Sequence, residues 1–281
     1  MQNSYIEVKV RTNVDSSELL AMLGETLGSW EKDGLLYIYW PERKWVPSIL
    51  EDLKRALATL GVAEQDAILT VQSIPDMDWN AAWAASLQPI QIGRCIRIRQ
   101  SWHPRAADTD RIELVIDPKR AFGTGHHATT QLVIEWLEDK IRGGEQILDV
   151  GTGSGILAMV AIRLGATSAL AVDNDPVALE CAQEYSRMNG FGSELELRVA
   201  AFEDLDRQGG FDAIVANLDG RTLPALALVL PQLLNPGGCA CFSGLRPQDY
   251  EETAEALKRA DLEINAQKER EDWLALDIRR L

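Results

Sequence analysis

The sequence predicts an α/β fold: a mostly parallel, doubly wound sheet that closes on an antiparallel hairpin, preceded by a small α+β domain. Three observations lead there. From residue 146 onward, short apolar strands alternate with helical stretches, with strands at 146–150, 168–172, 194–199, 211–216 and 238–243 and helices at 155–164, 176–189, 222–234 and 248–260. Such alternation specifies parallel strands joined by crossover helices. Residues 147–157, Ile-Leu-Asp-Val-Gly-Thr-Gly-Ser-Gly-Ile-Leu, run from a strand through three glycines straight into an apolar helix. Residues 1–74 keep a different rhythm, that of a β-α-β-β-α-β unit.

Within that unit, Ile6, Val8 and Val10 alternate with polar residues, which is a strand. Asp15, Ser16, Ser17 and Glu18 offer helix-start residues before Leu19, Leu20 and Leu23. Asp33-Gly34 sits between two strand-like runs and signals a hairpin. Ser48 is expected to cap a second helix with Ile49, Leu50, Leu53, Leu57 and Leu60 on one face, and residues 68–71 form a last strand. The pattern is that of a ferredoxin-like domain. A linker follows over 75–88, with Trp79, Trp83 and Leu87 at helical spacing as packing anchors. Residues 89–281 form the larger domain. Its first strands, 94–99 and 111–116, alternate, so Arg97 and Arg99 are expected on a solvated face opposite Ile96 and Ile98. Residues 263–267 and 273–278 read as the closing hairpin.

Composition narrows the function classes. A chain of 281 residues with 46% hydrophobic and 25% charged residues is ordinary for a globular protein. It has neither a membrane-length apolar run nor a signal-peptide pattern at its start, so a cytoplasmic location is expected. Cys95, Cys181, Cys239 and Cys241 are scattered in apolar surroundings and fit no common ligand spacing with the three histidines, so no metal is expected. A net charge of −15 disfavours phosphate-rich nucleic acid and favours basic partners.

The glycine motif points to a nucleoside-containing cofactor. Glycines let a ligand approach the backbone, and the helix start offers free N–H groups. Asp173, twenty-two residues past Gly151, ends the next strand, where an acid can take two ribose hydroxyls. Gly151, Gly153 and Gly155 are spaced G-x-G-x-G, whereas a dinucleotide fingerprint needs its third glycine where Ile156 stands. Asp149 would face a dinucleotide's phosphates. S-adenosylmethionine has no phosphate and carries two cationic centres, so Asp149 is assigned to its methionine end and Asp173 to its ribose.

Two more segments converge on the same sheet edge. Phe122-Gly-Thr-Gly-His-His-Ala-Thr-Thr130 is a glycine-rich loop that opens a helix. Thr129 and Thr130 either cap that helix or reach a ligand. His126 and His127 are either general bases or shapers of the loop. Phe211–Asn217 is a buried strand ending in an amide, and ligands in open α/β sheets bind beyond strand carboxyl ends.

At residues 121–130, 148–158, 172–176 and 215–218 the chain resembles the class I methyltransferases. More narrowly, it resembles the family that methylates large-subunit ribosomal protein L11 (PrmA). Asp78-Trp79 with Trp83, and Ser101-Trp102, also look like that family. The resemblance implies a Rossmann-like methyltransferase sheet, S-adenosylmethionine as cofactor, and a ferredoxin-like substrate-recognition domain at the N-terminus. It places donor contacts at Thr130, Gly151, Asp173 and Asn217, alongside Asp149 and Gly153 from the motif itself. It implies methylation of lysine and N-terminal amino groups of a basic ribosomal protein. Asn217 is expected to orient the amine, with Phe122 and Thr124 covering it, in a monomeric protein. Relatives often carry a proline-containing stretch after the asparagine, where this chain has Leu218-Asp219-Gly220-Arg221. Nucleic-acid amino-methyltransferases carry Asn/Asp-Pro-Pro and an aromatic there, which is absent. Another protein, a small molecule, or donor binding without catalysis are the remaining readings.

Overall fold

The computed structural model describes residues 4–11, 19–20, 22–23, 26–32, 34–62, 67–75, 87–106, 110–119, 121–205 and 210–280. The chain divides into two compact units, residues 1–86 and 87–281.

The smaller unit contains β1 (Ser4–Arg11), β2 (Gly28–Lys32), β3 (Leu35–Pro41), α1 (Pro47–Thr59) and β4 (Ile68–Pro75). The strands form an antiparallel sheet in the order β2-β3-β1-β4. Lys32 pairs with Leu35, and Gly34 turns the hairpin at φ 73°. Val8, Val10, Ile38 and Trp40 point from alternate positions into one core, where they meet Leu53 and Leu57 of α1 and Leu19. Ser48 does not cap α1. The cap position is Val46, without a side-chain bond, and Pro47 starts the helix because its fixed φ suits the first turn. The proposed helix start at 15–18 and the linker tryptophans Trp79 and Trp83 lie outside the described residues.

The larger unit begins with a three-stranded sheet, β5 (Ile90–Ile92), β6 (Ile96–Arg99) and β7 (Ile112–Val115), separate from the main sheet. Arg97 and Arg99 do not form a solvated face. Both pair with Glu113 on the neighbouring strand, Arg99 Nε at 2.7 Å, and the three side chains are largely buried. Sequence alternation reveals which residues share a face; it does not reveal that the next strand brings a carboxylate opposite.

The main sheet holds β8 (Gln146–Val150), β9 (Ser168–Asp173), β10 (Leu195–Val199), β11 (Phe211–Asn217), β12 (Leu234–Leu245), β13 (Leu262–Arg270) and β14 (Trp273–Arg280). Their order is β10-β9-β8-β11-β12-β14-β13, parallel up to β12 and antiparallel at the β13–β14 hairpin. Helices α2 (Ala128–Lys140), α3 (Ile156–Arg163) and α4 (Pro176–Met188) share one core, and α5 (Leu223–Leu233) and α6 (Tyr250–Arg259) share the other. β8 sends Ile147 into the first core and Leu148 and Val150 into the second. Burial on both faces is why this strand reads as a continuous apolar run.

Candidate active site

β8 and β11 are neighbours, and the strand order departs in opposite directions from them. Ligands bind beyond the carboxyl ends of strands at such a switch point. A cavity of about 460 Å³ lies there, lined by Gly151, Gly153, Asp173, Phe202 and Asn217, among others. A second opening of about 880 Å³ is lined by Phe122, His127, Asn217, Arg246 and Trp273. Phe122, Asn217, Leu218, Asp219 and Thr222 line both.

The first cavity is built by two stitched loops. Ser154 N donates to Phe122 O at 2.9 Å, and Ser154 Oγ donates to Gly123 O at 2.7 Å. This approach explains Gly153: a Cβ there would lie 2.6 Å from Phe122 O, and its φ is 55°. Gly153 N donates to Asp173 Oδ2 at 2.9 Å, while Asp173 Oδ1 accepts from Asp175 N at 3.0 Å. The acid at the tip of β9 is thus aimed at the cavity by the glycine loop itself, and its carboxylate retains lone pairs for further donors.

Three residues singled out from the sequence stand behind the walls. Asp149 is fully buried and lines neither cavity; its Oδ2 accepts from Thr152 Oγ1 at 2.6 Å and from Ala158 N at 3.1 Å. It therefore takes one of the N–H groups at the start of α3. Its Oδ1 is buried without a partner, and burial pushes the carboxyl up to about 7. Thr130 is buried inside α2, and its Oγ1 accepts from Asn217 Nδ2 at 3.4 Å. Thr124 lines neither opening, and its carbonyl faces His126 Nδ1 at 3.2 Å. The α2 cap is His127, whose Nδ1 accepts from Thr129 N. Its ring stands edge-on between Phe122 (5.4 Å) and Trp273 (5.1 Å). Both ring nitrogens of His126 face backbone carbonyls, those of Thr124 and Gln88, so that ring is engaged by the backbone and not by the cavity.

Ser154, Phe202, Arg246 and Trp273 belong to the site without any pattern in the sequence that singles them out. Ser154 was within the motif but carried no signal of its stitching role. Trp273 starts the second strand of the closing hairpin; the guanidinium of Arg246 lies 4.5 Å from its ring centroid, and both line the second opening.

The donor expected from the resemblance, S-adenosylmethionine, fits the first cavity. None of the described lining residues is basic, whereas Asp173, Asp175, Glu203 and Asp219 are acidic. Bonds from the Thr222 hydroxyl and then the Arg221 and Thr222 amides hold the Asp219 carboxyl below its ordinary range, so it stays charged. Such a lining suits a cationic ligand without phosphates and opposes a dinucleotide. Val172, Ala178 and Phe202 supply apolar surface for a flat base. No cluster of ligating side chains able to hold a metal occurs among the described residues.

The family of ribosomal protein L11 methyltransferases (PrmA) matches residues 12–281. A ribosomal protein L11 methyltransferase of Pseudomonas paraeruginosa is 40% identical over 210 residues, 75% of this chain and 70% of that one. One from Burkholderia lata is 37% identical over 230 residues, 82% of this chain and 73% of that one. The crystal structure of a ribosomal protein L11 methylase from Lactobacillus delbrueckii subsp. bulgaricus superposes with a TM-score of 0.65 at 32% identity, covering 69% of this chain and all of that one. On the sheet order, the stitched glycine loops and these matches, the chain belongs to the ribosomal protein L11 methyltransferase (PrmA) family.

Proposed function

We propose that this chain transfers methyl groups from S-adenosylmethionine to amino groups of ribosomal protein L11, on lysine side chains and at the N-terminus. The observation that carries this reading is the place of Asn217, on the wall shared by an acidic donor-sized cavity and a wider, aromatic-walled opening. Asp173 would hold the donor's ribose, Gly151 and Gly153 would let it approach the backbone, and Asp149 would hold the loop from behind.

When bound, S-adenosylmethionine supplies an electrophilic methyl group on a sulfonium. The protein's task is alignment of the nucleophile. Asn217 donates through Nδ2 to Thr130, which leaves Oδ1 to accept from the target amine and aim its lone pair. Phe122, His127 and Trp273 wall the approach and shed water from it. A lysine must arrive neutral, which costs roughly 4–5 kcal/mol at pH 7 from its free pKa near 10.4. Desolvation between these rings lowers that cost. The small unit would recognise the folded substrate, and the acidic balance of the chain favours a basic one.

The test is to incubate the full chain with methyl-labelled S-adenosylmethionine and ribosomal protein L11 and map the label by mass spectrometry. Label on lysine and N-terminal amines is expected. Label elsewhere, or on another protein in a mixture of ribosomal proteins, overturns the assignment of the acceptor.

A further inference from the structure

All three histidines of the chain have defined surroundings, and two of them meet the same short stretch. Residues 87 and 88 open the larger unit. The Leu87 carbonyl lies 2.9 Å from His103 Nε2, and the Gln88 carbonyl lies 3.0 Å from His126 Nε2. The other ring nitrogen of His126 faces the Thr124 carbonyl at 3.2 Å. A neutral imidazole donates to one of these carbonyls, and a protonated ring donates to both. The backbone beneath the ring is fixed independently, because Gln131 Nε2 donates to His126 O at 2.9 Å and Arg270 Nη1 holds Gln131 Oε1 at 2.9 Å. The ring is therefore presented outward from a rigid helix start, between the glycine loop and the chain arriving from the smaller unit.

We propose that His126 is a positioning residue that ties the 121–125 loop to residues 87–88, so that the wall of the acceptor opening moves as one piece with the point where the chain enters the larger unit. The loop is anchored at two places. Its Phe122 and Gly123 carbonyls accept from Ser154, and its far end runs into His126, whose Nε2 meets the Gln88 carbonyl at 3.0 Å. Phe122, the exposed aromatic at the acceptor opening, lies four residues from that second anchor. His126 itself lines neither opening, so its loss leaves the donor's own contacts intact. This inference rests on the proposed function only for the identity of the acceptor; the tie itself has a readout that needs no acceptor.

The experiment compares the full chain with His126→Ala and His126→Gln. Amide exchange should accelerate about tenfold in residues 87–90 and 121–126 together in His126→Ala, with the rest of the larger unit unchanged. The Kd for S-adenosylmethionine should stay within about twofold, kcat on ribosomal protein L11 should fall about tenfold, and His126→Gln, which keeps an amide donor of similar reach, should recover part of the loss. Faster exchange at 121–126 alone, or at neither segment, overturns the tie. A coupled exchange change with undiminished kcat overturns its role in positioning. If the parent protein leaves L11 unlabelled, the acceptor assignment fails, and the exchange measurement still decides the tie.

Discussion

Burial pushes the Asp149 carboxyl up to about 7, against the pull of its bonds from Thr152 Oγ1 and Ala158 N, and the charge of Asp173 adds to the rise. The folded state therefore holds a proton that the unfolded chain releases near 3.9. Stability is greatest below that value, falls as pH rises towards 7, and levels off above. The loss is at most about 4 kcal/mol. Asp149→Asn keeps the acceptor for Thr152 and Ala158 without the charge. Its melting temperature relative to the parent should thus rise between pH 5 and pH 8; a difference independent of pH would show that the carboxyl is not buried in this way. Gly153→Ala tests the stitching of the two loops. Its Cβ would meet Phe122 O at 2.6 Å from a backbone at φ 55°, so a loss of about 2 kcal/mol is expected in urea unfolding, with weaker donor binding. At this scale the sequence was informative about chemistry and poor about contacts. Asp173 was legible because the strand-glycine-helix spacing aims it; the Thr130–Asn217 contact joins residues 87 apart and leaves no local pattern.

Among the elements, a buried carboxylate ties α2 to the hairpin, beside the bonds of Arg270 to Gln131 and Glu135. Asp277 on β14 accepts from Trp136 Nε1 at 2.7 Å, Lys140 Nζ at 2.8 Å and Asn265 Nδ2 at 2.6 Å. Burial raises its pKa, but the bonds from Asn265, Lys140 and Trp136 outweigh it and leave it below the ordinary range. The stabilisation is therefore present above the unfolded pKa and is lost as pH falls through the folded one. Asp277→Ala should cost about 3 kcal/mol at pH 7, because it also strands Trp136 and Lys140, and the cost should shrink below pH 4. Thermal unfolding at both pH values checks this. Strand and helix periods make the centre of the main sheet legible element by element, since β8, β9 and β11 are short, apolar and bounded by turns. The three-stranded sheet of β5, β6 and β7 was not, because partner choice among strands is a tertiary matter. The Arg97–Glu113–Arg99 cluster followed it out of view for the same reason.

On the scale of the whole molecule, the fold presents one switch point with two openings, and Asn217 stands on the wall between them. The alternation of strands and helices was enough to locate that edge from the sequence, and the asparagine at the end of β11 was visible there. Of the wider opening, the 122–127 loop and residues 217–221 stand out in the sequence; the walls from the end of β12 and the start of β14 do not, because only the folded sheet brings them there. In the proposed reaction Asn217, which lines both openings, acts through the acceptor amine and not through the donor. The most direct test measures both on Asn217→Ala: S-adenosylmethionine affinity by titration, and turnover on ribosomal protein L11. The expected result is a donor Kd within about threefold of the parent and a kcat lowered about 100-fold. Unchanged turnover, or affinity and turnover lost together, would contradict it.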